Sequence, residues 1–291
     1  MDITTAAGRL HVRTIGSGPP ALLWHSMLVD CRQWSRITAR LAQHRTLVLV
    51  DGPGHGRSGP PPCGTGLADC ADAAAQVLTH LGLGAVDWVG NAWGGHVGLV
   101  LAARRPDLCR TLTAVAAPPT PLPPAQRRRI GRLVTAYRLL GAARPLRSAV
   151  ATSLLSPATA ATDPAAVALV TDAFAAAPRT GMHRVMTEMM LRRPDLTAEV
   201  SRIAAPTLLV AGAQDPIWSP ARAAAAAAAM PRATAAGVDG AGHLPPLEAP
   251  DAFADLVLGL WDGGLPGVSA PAAPAPARAV HPSPRTSAGS S

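Results

Sequence analysis

The sequence predicts an α/β protein: a mostly parallel, eight-stranded sheet with helices on both faces and a helical cap set into it. Three observations carry this. Short, compact apolar runs alternate with helix-length periodic runs, the pattern of strands buried by crossover helices. Glycine-rich loops follow several of the strand-like runs. One long stretch, from Pro118 to about Asp195, drops the alternation and reads as helix after helix.

Taken in order, Ile3 to His11 and on to Ile15 reads as two short strands around Gly8, and Gly16-Ser17-Gly18-Pro19-Pro20 is a turn. Ala21 to Trp24 is a buried parallel strand, followed by an amphipathic helix over about Cys31 to Gln43. Thr46 to Val50 is the next strand and ends in Asp51-Gly52-Pro53-Gly54-His55-Gly56-Arg57-Ser58. Leu67 to Leu81 is helical, Val86 to Val89 a strand, Trp93 to Arg105 a helix, and Thr111 to Val115 a strand. After the helical insertion, Pro206 to Ala211 resumes the sheet. Ser219-Pro220 opens an alanine-rich helix that stops before Pro231, Thr234 to Val238 is the last strand, and Pro250 to Trp261 the last helix. The expected organisation is a core of residues 1–118 and 199–262, a cap of 119–198, and a disordered Pro/Ala-rich tail of 263–291. No internal repeat is visible.

The chain has 291 residues, enough for one such domain. All 26 basic residues are arginine, which with abundant Ala, Pro and Gly looks like coding bias. The net charge of +8 raises a nucleic-acid or membrane reading, but the arginines are scattered and lack an aromatic platform, so neither partner is expected. Cys31, Cys63, Cys70 and Cys109 form no C-x-x-C pair, so no metal site is expected. The absence of a leader pattern or an apolar run of about 18 residues leads to the expectation of a cytoplasmic protein. Oligomeric state stays open.

Three loops carry the chemistry. Gly90-Asn91-Ala92-Trp93-Gly94-Gly95 sits between a strand and a helix. It has the glycines of a G-x-S-x-G nucleophile elbow, where side chains would block helix-on-strand packing, but the serine slot holds Ala92. Asp215, in Gly212-Ala213-Gln214-Asp215-Pro216, is set to orient an imidazole. His243, in Gly240-Ala241-Gly242-His243-Leu244-Pro245-Pro246-Leu247-Glu248, is the candidate general base.

Elbow, acid, then histidine is the chain order of α/β-hydrolases, and over about residues 3–262 the sequence resembles that superfamily. The resemblance rests on the Asp51–Ser58 loop, the elbow glycines, Asp215-Pro216, and Gly242 to Glu248. His25-Ser26-Met27-Leu28-Val29-Asp30 and Trp34 further resemble the oxoadipate enol-lactonase branch, although many members carry His-Gly where this chain has His25-Ser26. The resemblance implies an α/β-hydrolase fold, a small-molecule ester, lactone or similar carbonyl substrate, no cofactor, and oxyanion-hole N–H groups on Met27 and Trp93.

Ala92 has no oxygen and cannot form an acyl-enzyme. Three readings of it stand: chemistry that needs only His243 and Asp215, a ligand-binding protein whose catalysis is lost, or a serine replaced to trap substrate. Asn91 is no nucleophile, and Ser26 lies on the oxyanion loop as a remote substitute. His25 and His55 read as loop-fixing residues and His96 as locally bonded on its helix. Met182, Met186, Met189 and Met190 read as cap core, with a substrate-facing surface second. If the protein binds a ligand without turning it over, the run Arg127-Arg128-Arg129 is the place to look for an anionic group on that ligand.

Overall fold

A computed structural model describes residues 1–263. All but the first residue of the expected tail, 263–291, lies outside that range. The eight strands are β1 (Asp2–Thr5), β2 (Gly8–Ile15), β3 (Pro20–Trp24), β4 (Thr46–Asp51), β5 (Val86–Asn91), β6 (Cys109–Val115), β7 (Thr207–Gly212) and β8 (Ala233–Val238). They form one sheet in the order β1-β2-β4-β3-β5-β6-β7-β8. β2 pairs antiparallel with β1 and β4, and the other neighbours are parallel. Every residue of β5 and β7 is buried, as strands covered on both faces must be. Apolar cores lie on each side, one around Trp24, Trp88 and Leu112, the other around Trp34, Leu208 and Phe253.

The strand order places the site. From β3 the chain moves outward to β4, then crosses back to β5 on the other side of β3. The loops leaving β3 and β5 therefore diverge, and such a switch point opens a crevice at the carboxyl ends of the strands.

The expected helix from Cys31 to Gln43 is split. Residues Cys31–Trp34 form a tight 3₁₀ turn before α1 (Ser35–Leu41). Side chains capture its first donors: the Cys31 N–H donates to Asp51 Oδ1 and the Arg32 N–H to Asp30 Oδ1, both at 3.0 Å. Next come α2 (Leu67–His80) and α3 (Trp93–Arg104). Between β6 and β7 lie α4 (Pro124–Leu140), α5 (Arg144–Leu154), α6 (Pro157–Thr162), α7 (Pro164–Ala176), α8 (Arg179–Val185) and the single turn α9 (Thr197–Val200). α8 runs on into a π-helical turn at Met186–Leu191. After β7 come α10 (Pro220–Ala227), α11 (Pro245–Glu248) and α12 (Pro250–Trp261). Among the described residues, no helix is long and apolar enough to cross a membrane.

Candidate active site

The turn from β5 to α3 is built by exclusion. A Cβ on Gly90 would sit 2.1 Å from the Gly94 carbonyl oxygen, and one on Gly94 would sit 1.9 Å from that of Trp24. Only glycine lets the helix start this close to the strands. Ala92, at the apex, has φ +47° and ψ −103°, a backbone state that costs a residue with a Cβ on the order of 1–3 kcal/mol. The non-glycine residues with positive φ among the described residues are Leu28, Ala92 and Ala116. All three line one cavity of about 480 Å³ at the carboxyl ends of the strands. Strain concentrated around one cavity is a mark of a functional site.

His243 lines the same cavity. It follows β8, and its Nδ1–H donates to Asp215 Oδ2 at 2.9 Å. Asp215, on the loop after β7, is fixed in turn by the Ile217 N–H on Oδ1 at 2.7 Å. Burial opposes charge on His243, but the adjacent Asp215 carboxylate and their hydrogen bond outweigh it and hold the imidazole pKa above its usual value. Burial likewise opposes the Asp215 carboxylate, and the charge and hydrogen bond of His243 outweigh it and hold that pKa low. With Nδ1 engaged, Nε2 is the ring nitrogen left for chemistry. Ala92, Asp215 and His243 are thus brought together, while no serine or cysteine side chain occupies the apex.

Met27 and Trp93 line the cavity too. Trp93 opens α3, so its N–H has no carbonyl one turn back in the helix. On the other loop, the Ser26 N–H donates to Gln33 Oε1 at 2.8 Å and the Leu28 N–H to His55 Nε2 at 3.2 Å. The Met27 N–H between them has no partner among the described residues. His25 and His55 act on loops: His25 Nε2 accepts the Gly52 N–H at 2.8 Å, and His55 Nδ1–H donates to the Pro53 carbonyl at 3.0 Å. Burial pushes the His55 pKa down to about 3, so it accepts as a neutral ring. Asp51 anchors its glycine-rich loop by accepting the Arg57 N–H at 2.9 Å. Ser26 lines the cavity and bonds the Met27 carbonyl at 3.3 Å.

Several residues escaped the sequence reading. Asn91 donates to the His243 carbonyl at 3.1 Å and accepts from Gln33 at 3.3 Å, tying elbow, oxyanion loop and histidine loop together. Glu248 accepts the N–H groups on both sides of His243, from Gly242 and Leu244, each at 3.0 Å, and that of Ser156 at 2.7 Å. An acid five residues after a candidate base was the available signal. Arg193 was missed as well. Of Arg127, Arg128 and Arg129, only Arg129 lines the cavity, because the other two face away on α4. The methionines divide: Met182 and Met186 are wholly buried, whereas Met189 and Met190 reach the cavity wall. Among the described residues, no three of His, Cys, Asp and Glu gather as metal ligands.

Comparison with known proteins agrees with this architecture. The chain is 32% identical over 268 residues to a pimeloyl-[acyl-carrier protein] methyl ester esterase of Xanthomonas campestris, covering 85% of this chain and 97% of that one. A thermophilic esterase from Thermogutta terrifontis superposes with a TM-score of 0.82 at 26% identity, covering 89% of this chain and 96% of the other. The enol-lactonase from Burkholderia xenovorans superposes at 0.80 with 23% identity, covering 86% and 95%, a likeness of fold. The model of the alpha/beta hydrolase family matches residues 11–256. The chain belongs to the α/β-hydrolase family.

Proposed function

We propose that this protein acts on a small-molecule ester, lactone or similar carbonyl compound, with His243 as general base, Asp215 as its orienting partner, and the Met27 and Trp93 N–H groups as oxyanion donors. The observation that carries the reading is the His243–Asp215 pair, 2.9 Å apart, on the cavity that also holds the Ala92 apex. The esterases and lactonase among its relatives and structural neighbours support the substrate class. The helical segment between β6 and β7 then acts as a cap that selects the substrate, and no cofactor is invoked.

Ala92 limits the route. With no oxygen at the apex, attack falls to a water. His243 Nε2 takes the water proton as its oxygen bonds the carbonyl carbon, the oxyanion rests on the two N–H groups, and the proton then passes to the leaving oxygen as the ester bond breaks. Removing a serine nucleophile leaves on the order of 10³–10⁴-fold catalysis over water. The test is hydrolysis of p-nitrophenyl esters by the protein and by Ala92→Ser, measured side by side. Ala92→Ser should be faster by about a hundredfold or more, and His243→Ala should abolish the gain. Equal rates for the protein and Ala92→Ser would remove position 92 from the chemistry.

Ala92 itself favours a second reading, a protein that binds such a compound without turning it over, or that uses the base pair for proton abstraction alone. Ligand binding with no product from any ester would select it.

A further inference from the structure

Arg193 is a buried cation with no ion-pair partner among the described residues, on the wall of the cavity that holds Ala92 and His243. It is only 8% exposed. Nη1 lies 2.8 Å from His96 Nε2, a nitrogen that also lies 3.0 Å from the Pro118 carbonyl, and Nη2 donates to the Thr120 carbonyl at 2.6 Å. Its Nε is buried and has no partner. Among the described residues no carboxylate pairs with it, although Asp30, Asp87 and Asp163 each pair with an arginine elsewhere. At most two of five N–H donors are therefore used, both against neutral groups.

The surroundings make this unusual. No aspartate or glutamate lines the cavity, and a second arginine, Arg129, does. Burial, and then the nearby Arg222 charge, outweigh the exposed Asp195 carboxylate and push the Arg193 pKa down to about 10, which still leaves it charged at neutral pH. Burial, and then the Arg193 charge, hold the His96 pKa well below its usual value, so His96 is a neutral ring and cannot balance the cation. A buried charge with no partner is costly, and the expense is normally met by an opposite charge. Arg193 follows the π-helical turn that also turns Met189 and Met190 to the cavity, and such turns recur at binding sites.

The geometry points to Arg193 as the anchor for a carboxylate on the substrate, so that the preferred compound is a carbonyl ester or lactone that also carries a free carboxylate. This rests on the hydrolase reading and sharpens its substrate class. Arg193, Ala92 and His243 line one cavity, so the anionic group and the reacting carbonyl share it. The apolar wall of Leu122, Ile130, Leu133 and Met189 accommodates the hydrocarbon between or beyond. A guanidinium presents a fixed fork of donors that a carboxylate matches with two oxygens.

The test compares monomethyl succinate with dimethyl succinate, which differ in one negative charge. Binding is read by calorimetry on the protein itself, and hydrolysis on Ala92→Ser. The monoester should bind about tenfold or more tightly. Arg193→Gln should abolish that preference while Arg193→Lys retains part of it, and Arg127→Gln, which is exposed and off the cavity wall, should change it little. Equal binding of the two esters, no detectable binding of the monoester, or a preference that survives Arg193→Gln would each overturn the assignment. Should Arg193→Gln fail to fold, the ester pair on the unaltered protein and on Arg193→Lys still decides. Binding preferred by charge with no turnover in Ala92→Ser would sink the hydrolase reading and leave the carboxylate anchor standing. Turnover of both esters at equal kcat/KM would do the reverse. Tight binding of inorganic phosphate with none of succinate would also overturn it.

Discussion

At the scale of single residues, the proposed base is governed by opposing influences that can be separated. Burial lowers the His243 pKa and Asp215 raises it, with Asp215 prevailing. A general base works in its neutral form, so activity in Ala92→Ser should rise with pH through a midpoint above the ordinary histidine value of 6.5. Asp215→Asn removes the negative charge but not the burial. The sign follows: the midpoint moves down, while the rate plateau falls because the ring loses the partner that fixes its tautomer. The measurement is the pH profile of kcat/KM for both proteins. A midpoint that stays put would show that Asp215 does not control the histidine.

At the scale of elements, the loop from β8 to α11 holds the base by an acid at its far end. Glu248 gathers three N–H groups, two of them flanking His243. Glu248→Ala should leave three donors short of an acceptor, at about 2 kcal/mol and a fall of several degrees in Tm. Activity in the Ala92→Ser background should fall with it, and Glu248→Gln, which keeps one acceptor oxygen, should recover part of both. Unchanged activity would show that the loop holds itself. This element also marks the limit of what the sequence revealed. The strands were legible because burial on both faces writes them as unbroken apolar runs, such as Leu47 to Val50. Ala92 and the glycines around it were legible because the turn excludes side chains, and Asp215 and His243 because their loops end strands in a known order. Glu248, Asn91, Gln33 and Arg193 were not. Each acts on a partner far away in sequence or through a backbone group, and polar residues of that kind look like surface until the chain is folded. The split of the helix after Asp30 was hidden for the same reason, since Asp51 reaches it from another strand.

At the scale of the whole molecule, the two ends of the sheet serve different purposes. The carboxyl ends of β3, β5, β7 and β8 feed the loops that carry Met27, Ala92, Asp215 and His243. At the amino end of β5 lies Asp87, whose carboxylate is almost wholly buried. It accepts from Arg45 Nε at 2.7 Å, Arg110 Nη2 at 2.6 Å and Thr111 Oγ1 at 2.7 Å. Arg110 also donates to the Pro20 carbonyl at 3.0 Å, so one carboxylate ties together β3, β5, β6 and the turn before β4. Replacing it strands two largely buried guanidinium groups, and breaking a buried pair in this way costs about 3–5 kcal/mol. Asp87→Ala should therefore lower the denaturant midpoint strongly. Asn91, which touches the His243 loop, is only four residues along the same strand, yet β5 is held on both sides by parallel neighbours that fix its register. The folded fraction of Asp87→Ala should accordingly bind carboxylate esters with unaltered affinity, and in the Ala92→Ser background keep its pH midpoint. A loss of affinity in protein shown by circular dichroism to be folded would mean that the amino end of the sheet sets the geometry of the site as well as its stability.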